Sequence, residues 1–324
     1  MIQDIEMSGP EIANLMVTAM TIESAGVITL RLSDPEGRDL PAWKPGAHID
    51  IHPDGGELRQ YSLCGKVTDR KNYCISVLRE EAGRGGSRFV HDSVRPGNVV
   101  KVSQPRNHFA LKPAERYIFI AGGIGITPII PMIAAARATG TPWTLLYGGR
   151  SRRSMAFLDQ LQSYQGCTRV FPQDEVGHIP LAEYLGDPEE GMHVYCCGPE
   201  PLIAAVEQLC ATYPAGMLQV ERFTAAELTE ANQAGSKAFK VLLKKTGKTV
   251  EIPQDMTIME ALEEEGMDVP FSCRAGTCGM CETAVLEGKV DHRDAILSQE
   301  ERAANNTMLI CCSRAISDEL VLDF

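Results

Sequence analysis

One short stretch constrains this chain more than any other: Cys273-Arg274-Ala275-Gly276-Thr277-Cys278-Gly279-Met280-Cys281. Its cysteines stand at C-x4-C-x2-C spacing, and a fourth candidate, Cys311, follows much later in the sequence. That is the plant-type spacing for the thiolates of a [2Fe-2S] cluster. Cys273, Cys278 and Cys281 come from one tight loop whose small residues let backbone N–H groups approach the cluster sulfurs and tune them. Structural zinc ordinarily needs a second pair of ligands, and no second C-x2-C pair occurs here. A disulfide framework needs an oxidising compartment, which nothing in the sequence supports.

A metal loop is small, and the chain has 324 residues with 44% hydrophobic content, enough for two or three cores. The net charge of −12 leaves no basic footprint for nucleic acid. It favours solubility and can steer a basic partner. No apolar run has the length of a membrane helix. The start, Met1-Ile2-Gln3-Asp4-Ile5-Glu6, lacks a basic segment followed by an apolar one. The expectation is a cytoplasmic protein, no membrane association, and a monomer. There the 11 cysteines serve as ligands, buried thiols or reactive groups.

The first part of the chain reads as short strands near residues 16–19, 26–32, 48–51, 59–64, 73–78 and 98–102, bounded by Gly, Pro, Asp or Asn. Ile28, Leu30 and Leu32 would share one face, with Thr29 and Arg31 on the other. Such spacing predicts an antiparallel β-barrel. Two of its segments carry chemistry. Arg59-Gln60-Tyr61-Ser62-Leu63 offers a cation, a flat ring and a hydroxyl close together, which suits a phosphorylated planar ligand. Gly83-Arg84-Gly85-Gly86-Ser87 runs into a short helix and makes an anion site of free N–H groups. Each alone also reads as an ordinary strand or a hairpin loop; together they point to a flavin phosphate.

From Arg116 the pattern becomes alternating strand and helix. Strands are predicted over 117–121, 143–147, 168–171, 193–196 and 217–220, with helices through 132–138 and over 155–163, 181–185 and 201–210. This is an α/β domain with a parallel sheet covered on both faces. Ligands sit at the carboxyl ends of such strands. Gly122-Gly123-Ile124-Gly125-Ile126-Thr127-Pro128 opens a helix there, and its glycines would admit a pyrophosphate. Cys197-Gly198-Pro199-Glu200 follows a later strand and could receive a nicotinamide. Asp174 and Glu175 follow another strand, could accept from a ribose hydroxyl, and would repel a 2′-phosphate, favouring NADH; Arg150, Arg152 and Arg153 point toward NADPH.

Residues 224–236 are polar, small and free of aromatics, as a linker is. Beyond them a hairpin (238–244 and 249–252) precedes a helix over 257–265, where Thr257 and Glu260 form a capping box. The cysteine loop, a strand over 283–286, a helix over 298–304 and a strand over 308–311 complete a compact α+β domain. Cys312 competes with Cys311 as fourth ligand. In a strand the two would point to opposite faces, so only one could reach the cluster. The expected division is 1–110 flavin barrel, 111–226 nucleotide domain, 227–236 linker and 237–324 ferredoxin domain.

In this order the segments resemble the phthalate dioxygenase reductase family, the reductase components of two-component Rieske oxygenases. The resemblance covers essentially the whole chain. It is carried by Arg59-x-Tyr61-Ser62-Leu63, Gly83 to Ser87, Ala121 to Pro128, Tyr195-Cys196-Cys197-Gly198-Pro199, Cys273 to Cys281, Asp291-His292-Arg293-Asp294 and Cys311-Cys312-Ser313-Arg314-Ala315. It implies a C-terminal plant-type ferredoxin domain of the β-grasp class. It implies FMN held by Arg59, Gln60, Tyr61, Ser62, Val77, Leu78, Arg79, Gly85, Gly86 and Ser87, with Thr127 approaching from the nucleotide domain and Phe223 covering the ring. FMN is implied rather than FAD, because the adenine-stacking loop of the FAD-binding relatives is missing. Gly122, Gly123, Gly125, Asp174, Cys197, Gly198 and Pro199 are the implied NADH residues, and Ser62, Thr127, Cys197 and Phe223 those nearest the chemistry. The implied ligands are Cys273, Cys278, Cys281 and Cys311, although Cys312 stands where the family has a hydrophobic residue.

The expected activity is electron splitting. NADH delivers a pair of electrons to FMN, and the cluster passes them singly to a Rieske-type oxygenase, a dioxygenase or demethylase, docking transiently around Arg274, Thr277 and Met280. The alternatives are a haem, P450-like acceptor and a flavin/iron–sulfur redox sensor that does not turn over NADH.

Overall fold

The structure is a computed structural model that describes residues 12–52, 58–81, 85–164, 166–223, 237–271 and 273–324. The expected linker, and Gly83 and Arg84 of the glycine-rich loop, lie outside the described residues. The chain separates into two compact units, Met1–Glu221 and Arg222–Phe324. Among the described residues no helix is long and apolar enough to cross a membrane.

The first unit opens with strands β1 (Ile12–Ser24), β2 (Val27–Ser33), β3 (His48–His52), β4 (Arg59–Ser62), β5 (Asn72–Leu78) and β6 (Val99–Ser103). They form one antiparallel sheet in the order β4-β3-β6-β1-β2-β5. A bridge between Leu63 and Ile75, with Cys64 N–H donating to Cys74 O at 2.9 Å, joins the two edges and closes the sheet into a barrel. The expected alternation in β2 is present: Leu30 and Leu32 are fully buried while Arg31 is exposed. Each such leucine contributes about 1.5–3 kcal/mol by leaving water. Helix α1 (Gly86–Ser93) lies between β5 and β6 in sequence and starts at Gly85, whose φ of 93° suits glycine.

The same unit continues with β7 (Arg116–Gly122), β8 (Trp143–Gly149), β9 (Thr168–Pro172), β10 (Met192–Cys197) and β11 (Leu218–Glu221). All pair in parallel, in the order β11-β10-β7-β8-β9. Helix α2 (Ile126–Thr139) packs on one face over Phe119, Leu145, Tyr147 and Tyr195. α3 (Leu158–Gln162), α4 (Gln173–Val176), α5 (Leu181–Tyr184) and α6 (Glu200–Leu209) follow along the chain, and α5 and α6 cover the opposite face over Ile118, Ile120, Leu146 and Val194. Val27 and Cys64 of the barrel belong to the same core as Phe119 and Tyr147, so barrel and sheet share apolar packing.

One helix is shorter than expected. The helix predicted over 155–163 begins only at Leu158, because Phe157 adopts a left-handed conformation with φ of 62°. The carboxylate of Glu23, from the barrel, accepts the Phe157 N–H at 3.0 Å and holds that turn. No local sequence signal encodes this contact.

The second unit holds β12 (Phe239–Leu243), β13 (Thr249–Ile252), β14 (Glu282–Glu287), β15 (Val290–Asp291), β16 (Thr307–Leu309), β17 (Arg314–Ala315) and β18 (Glu319–Leu322), with α7 (Ile258–Glu264) and α8 (Gln299–Ala304). Its main sheet runs β13-β12-β18-β14-β16, with β12 and β18 parallel and the other pairs antiparallel. Thr257 and Glu260 form the expected reciprocal capping box on α7. The strand predicted over 308–311 ends at Leu309 instead, so Cys311 and Cys312 lie in a turn. Alternation along a strand therefore does not decide between them.

Candidate functional site

The cysteine loop sits against the turn that follows β16. Cys278, Cys281 and Cys311 are buried and Cys273 is half-buried. Cys311 is in contact with Cys273, Cys281 and Cys312, and Cys273 also with Cys278. Contact with Cys278, then with Cys311, then burial push the Cys273 thiol up. Contact with Cys311, then burial, does the same to Cys281. Cys311, which accepts from Cys273, Cys281 and Cys312, is drawn down. Backbone N–H groups converge on these sulfurs: Ala275 and Thr277 donate to Cys273 Sγ and Gly276 to Cys311 Sγ, each at 3.3 Å, and Cys273 N–H donates to Cys278 Sγ at 3.4 Å. Among the described residues no group of at least three His, Cys, Asp or Glu side chains gathers to hold a single metal ion. A [2Fe-2S] cluster takes four thiolates, two on each iron. Thiolates this crowded need compensating positive charge, which two irons would supply. The donor set fits the cluster.

Two features support the loop. At Gly276 φ is +68°, and a Cβ would lie 2.5 Å from Cys312 Sγ and 3.0 Å from Asp294 Cα, so only glycine fits. Asp294 is buried; its carboxylate accepts from Ile296 and Leu297 N–H at 3.1 and 2.7 Å, and Ala295 N–H donates to Gly276 O at 2.9 Å. Cys312 Sγ instead lies near Leu309 O, at 3.7 Å. Beside the loop, exposed Arg274 carries its guanidinium 3.8 Å over the Phe271 ring and pairs with Glu263 at 2.6 Å. Thr277 and Met280 are half-buried.

In the barrel, the two segments expected to hold a phosphate come together. A Cβ on Gly86 would lie 2.3 Å from Arg59 Cγ, so the Arg59 side chain runs across the first turn of α1. A cation over the free N–H groups of a helix start is a fitting phosphate cradle. Ser87 Oγ accepts Glu80 N–H at 3.0 Å and keeps its own proton for another acceptor. Tyr61 is half-buried, and burial pushes its hydroxyl up to about 12 against the pull of Arg59. Three of the expected flavin residues are otherwise engaged. The Gln60 amide lies 2.9 Å from His48 Nε2, the Val77 carbonyl lies 2.9 Å from His91 Nε2, and Arg79 pairs with Glu81 and Asp92 at 2.7 and 2.5 Å. Leu78 is half-buried at the end of β5.

In the parallel sheet, the strand order reverses between β7 and β10, and the loops after them meet there. A Cβ on Gly122 would lie 2.6 Å from Pro199, one on Gly125 2.3 Å from Cys197 O, and one on Gly198 2.9 Å from Gly122. These glycines let the two loops touch each other. Gly123, with φ of +54° and nothing within 4 Å, is the position left open to a ligand. Tyr147 fixes this turn by donating to Gly123 O at 3.2 Å. Thr127 is buried and donates to Ile124 O at 3.0 Å. The turn packs against β5, so the crevice at the switch point borders the barrel. Asp174 is exposed in α4, and its N–H donates to Arg150 O at 3.2 Å. Phe223 is 43% exposed, just past the end of β11.

One titratable residue at this corner escaped the sequence reading. Glu221 closes β11 beside Cys197 and Ser62, and Cys197 Sγ donates to Glu221 Oε2 at 3.7 Å. Burial pushes the Glu221 carboxyl up to about 8, opposed by its contacts with Cys197 and Ser62. Burial, then the Glu221 charge, holds the Cys197 thiol well above its ordinary range. The signal was an acidic residue ending an apolar strand in Gln219-Val220-Glu221-Arg222-Phe223.

Comparison with known proteins agrees with this geometry. Residues 119–208 match the model of the oxidoreductase NAD-binding domain, and residues 241–315 match that of the 2Fe-2S iron-sulfur cluster binding domain. The phenoxybenzoate dioxygenase subunit beta of Ectopseudomonas oleovorans is 42% identical over 312 residues, spanning 96% of this chain and 97% of that one. A solved structure of phthalate dioxygenase reductase, described as modular for electron transfer from pyridine nucleotides to [2Fe-2S], is 35% identical with a TM-score of 0.70, over 97% of this chain and 98% of that one. An intact type IV self-sufficient cytochrome P450 monooxygenase is 42% identical with a TM-score of 0.90, over 97% of this chain; the chain spans 41% of that protein.

Proposed function

We infer the function from the premise that the chain belongs to the phthalate dioxygenase reductase family. It is an NAD(P)H-dependent flavin and iron–sulfur reductase of an oxygenase system. In finer terms, we propose NADH as donor, FMN as flavin and a two-component Rieske oxygenase as acceptor. The proposed division is 1–110 for FMN, 111–226 for NADH, 227–236 as linker and 237–324 for the cluster. The observation that carries the reading is the meeting of Ser62, Cys197 and Glu221 at the crevice between barrel and parallel sheet.

When bound, the flavin accepts electrons in pairs and releases them singly, and the cluster relays one at a time. The chain's own residues position and insulate. Arg59 and the first turn of α1 would hold the FMN phosphate. Gly123 and the start of α2 would hold the NADH pyrophosphate. Ser62, Thr127 and Cys197 would flank the reacting ends, and Phe223 would cover the ring. Glu221, protonated below about pH 8, keeps a proton beside Cys197 and Ser62 instead of a bare charge. Cys273 and Cys278 would hold one iron, Cys281 and Cys311 the other.

A second acceptor class, haem, is supported by the similarity to the self-sufficient cytochrome P450 monooxygenase. Purified protein with NADH is mixed with a Rieske oxygenase and, separately, with a P450 haem domain. Faster cluster oxidation by the Rieske protein supports the first reading, and faster oxidation by haem the second. Released flavin with the mass of FAD would refute the FMN assignment.

A further inference from the structure

The sheet order leaves β8 and β9 on the far side of the switch point from Cys197. A dinucleotide bound across such a point lays one mononucleotide on each side. With the nicotinamide toward Cys197, the adenosine ribose falls to the carboxyl ends of β8 and β9. Two loops are built there and tied together. In the first, Ser151 and Ser154 form a reciprocal capping box, with their hydroxyls 3.2 Å apart. In the second, Asp174 N–H donates to Arg150 O at 3.2 Å. Between them Arg152 Nε donates to both oxygens of Glu175, each at 3.0 Å.

We propose that the Arg152–Glu175 pair is the specificity element that turns the nucleotide site away from NADPH. The inference rests on the reading of 119–208 as an NAD(P)H-binding domain and deepens it. Arg152 is the guanidinium at this end of the sheet held by a carboxylate; a 2′-phosphate needs such a group free, because it is recognised through parallel N–H donors. Glu175 takes the Nε donor of that fork and adds a like charge that a 2′-phosphate must approach. A 2′-hydroxyl carries no charge and meets a locally neutral pair. Arg150 and Arg153 are exposed neighbours that raise the local positive potential, so the acidic partner sets the balance. The pair is exposed, at 56% and 45%, so it does little for stability. Its removal leaves the fold intact and changes what a ribose substituent encounters.

The test is steady-state reduction of an artificial electron acceptor by the holoenzyme with NADH and NADPH. In E175Q the ratio of kcat/KM for NADPH to that for NADH rises about tenfold, chiefly through a lower KM for NADPH. In R152Q, which leaves Glu175 bare, the same ratio falls. In the double variant the gain of E175Q is lost. A ratio unmoved in E175Q overturns the proposal. So does a gain that persists in the double variant, which would assign the phosphate to another arginine. A wild-type preference for NADPH overturns it as well. If wild-type protein oxidises neither nucleotide, the parent reading fails, and that outcome is separate from any change in ratio.

Discussion

Cys197 Sγ lies 3.7 Å from Glu221 Oε2, at the carboxyl ends of neighbouring parallel strands. The pair joins a thiol that stays protonated to a carboxyl that titrates near 8. Below that pH the corner is uncharged; above it, a carboxylate would stand beside Ser62 and Cys197, where the proposed flavin would take up electrons. Flavin reduction by NADH should therefore slow as pH rises through about 8. Glu221→Gln, uncharged at every pH, should flatten that profile and hold the rate above pH 8 near its value below pH 8. Stopped-flow absorbance from pH 6 to 10 measures both. A wild-type profile with no inflection near 8 would remove Glu221 from the chemistry.

The same shift has a consequence for stability. The folded pKa of Glu221 lies above its ordinary value of 4.5, so the folded chain binds the extra proton between about 4.5 and 8. Its contribution is present below the unfolded value and is lost as pH rises through about 8. The urea midpoint of wild type, relative to Glu221→Gln, should fall across that window. An opposite slope would mean that the carboxyl is ionised in the fold.

Gly276→Ala should cost the cluster while leaving bound flavin in place. Its Cβ would collide with Cys312 Sγ and the Asp294 backbone, in a conformation that already suits only glycine. Iron content and visible absorption report the loss. Full cluster occupancy in this variant would show that the loop is looser than its contacts indicate.

Cys311 and Cys312 should separate cleanly. Cys311→Ser should lose the cluster, because Cys311 is the member of the pair in contact with both Cys273 and Cys281. Cys312→Ser should retain it, since the thiol contact of Cys312 is with Cys311, whereas the loop's Gly276 N–H donates to Cys311 Sγ. Cluster retained in the first variant and lost in the second would reassign the ligand.

Glu23→Ala should loosen the turn before α3. It leaves the Phe157 N–H without its acceptor, at a cost of about 1–3 kcal/mol. The loop bearing Arg152 ends at that turn, so KM for NADH should rise more than kcat falls. Equal loss in kcat with unchanged KM would argue that Glu23 acts elsewhere.

What the sequence disclosed followed short-range chemistry. C-x4-C-x2-C spacing, a capping box at Thr257 and Glu260, and glycines after apolar strands each encode their structure within a few residues. Alternation in β2 and continuous apolar runs in β7 separated the barrel from the parallel sheet. The features that escaped depend on distant partners. Phe157 is left-handed because Glu23 reaches it from another sheet. Glu221 matters because Ser62 and Cys197 arrive beside it from two other strands. Cys311 and Cys312 read as strand from their apolar neighbours, yet the chain turns there to deliver a sulfur to the loop. Gly122 and Gly125 also let the adjoining Cys197–Pro199 loop approach, a packing role that no local sequence pattern encodes.

The most direct measurement is an anaerobic titration of purified protein with NADH, followed by visible absorption. The account predicts that flavin and iron–sulfur bands bleach together, complete at about one and a half NADH per chain for three electrons. Bleaching by dithionite alone, with both bands untouched by NADH, would contradict it.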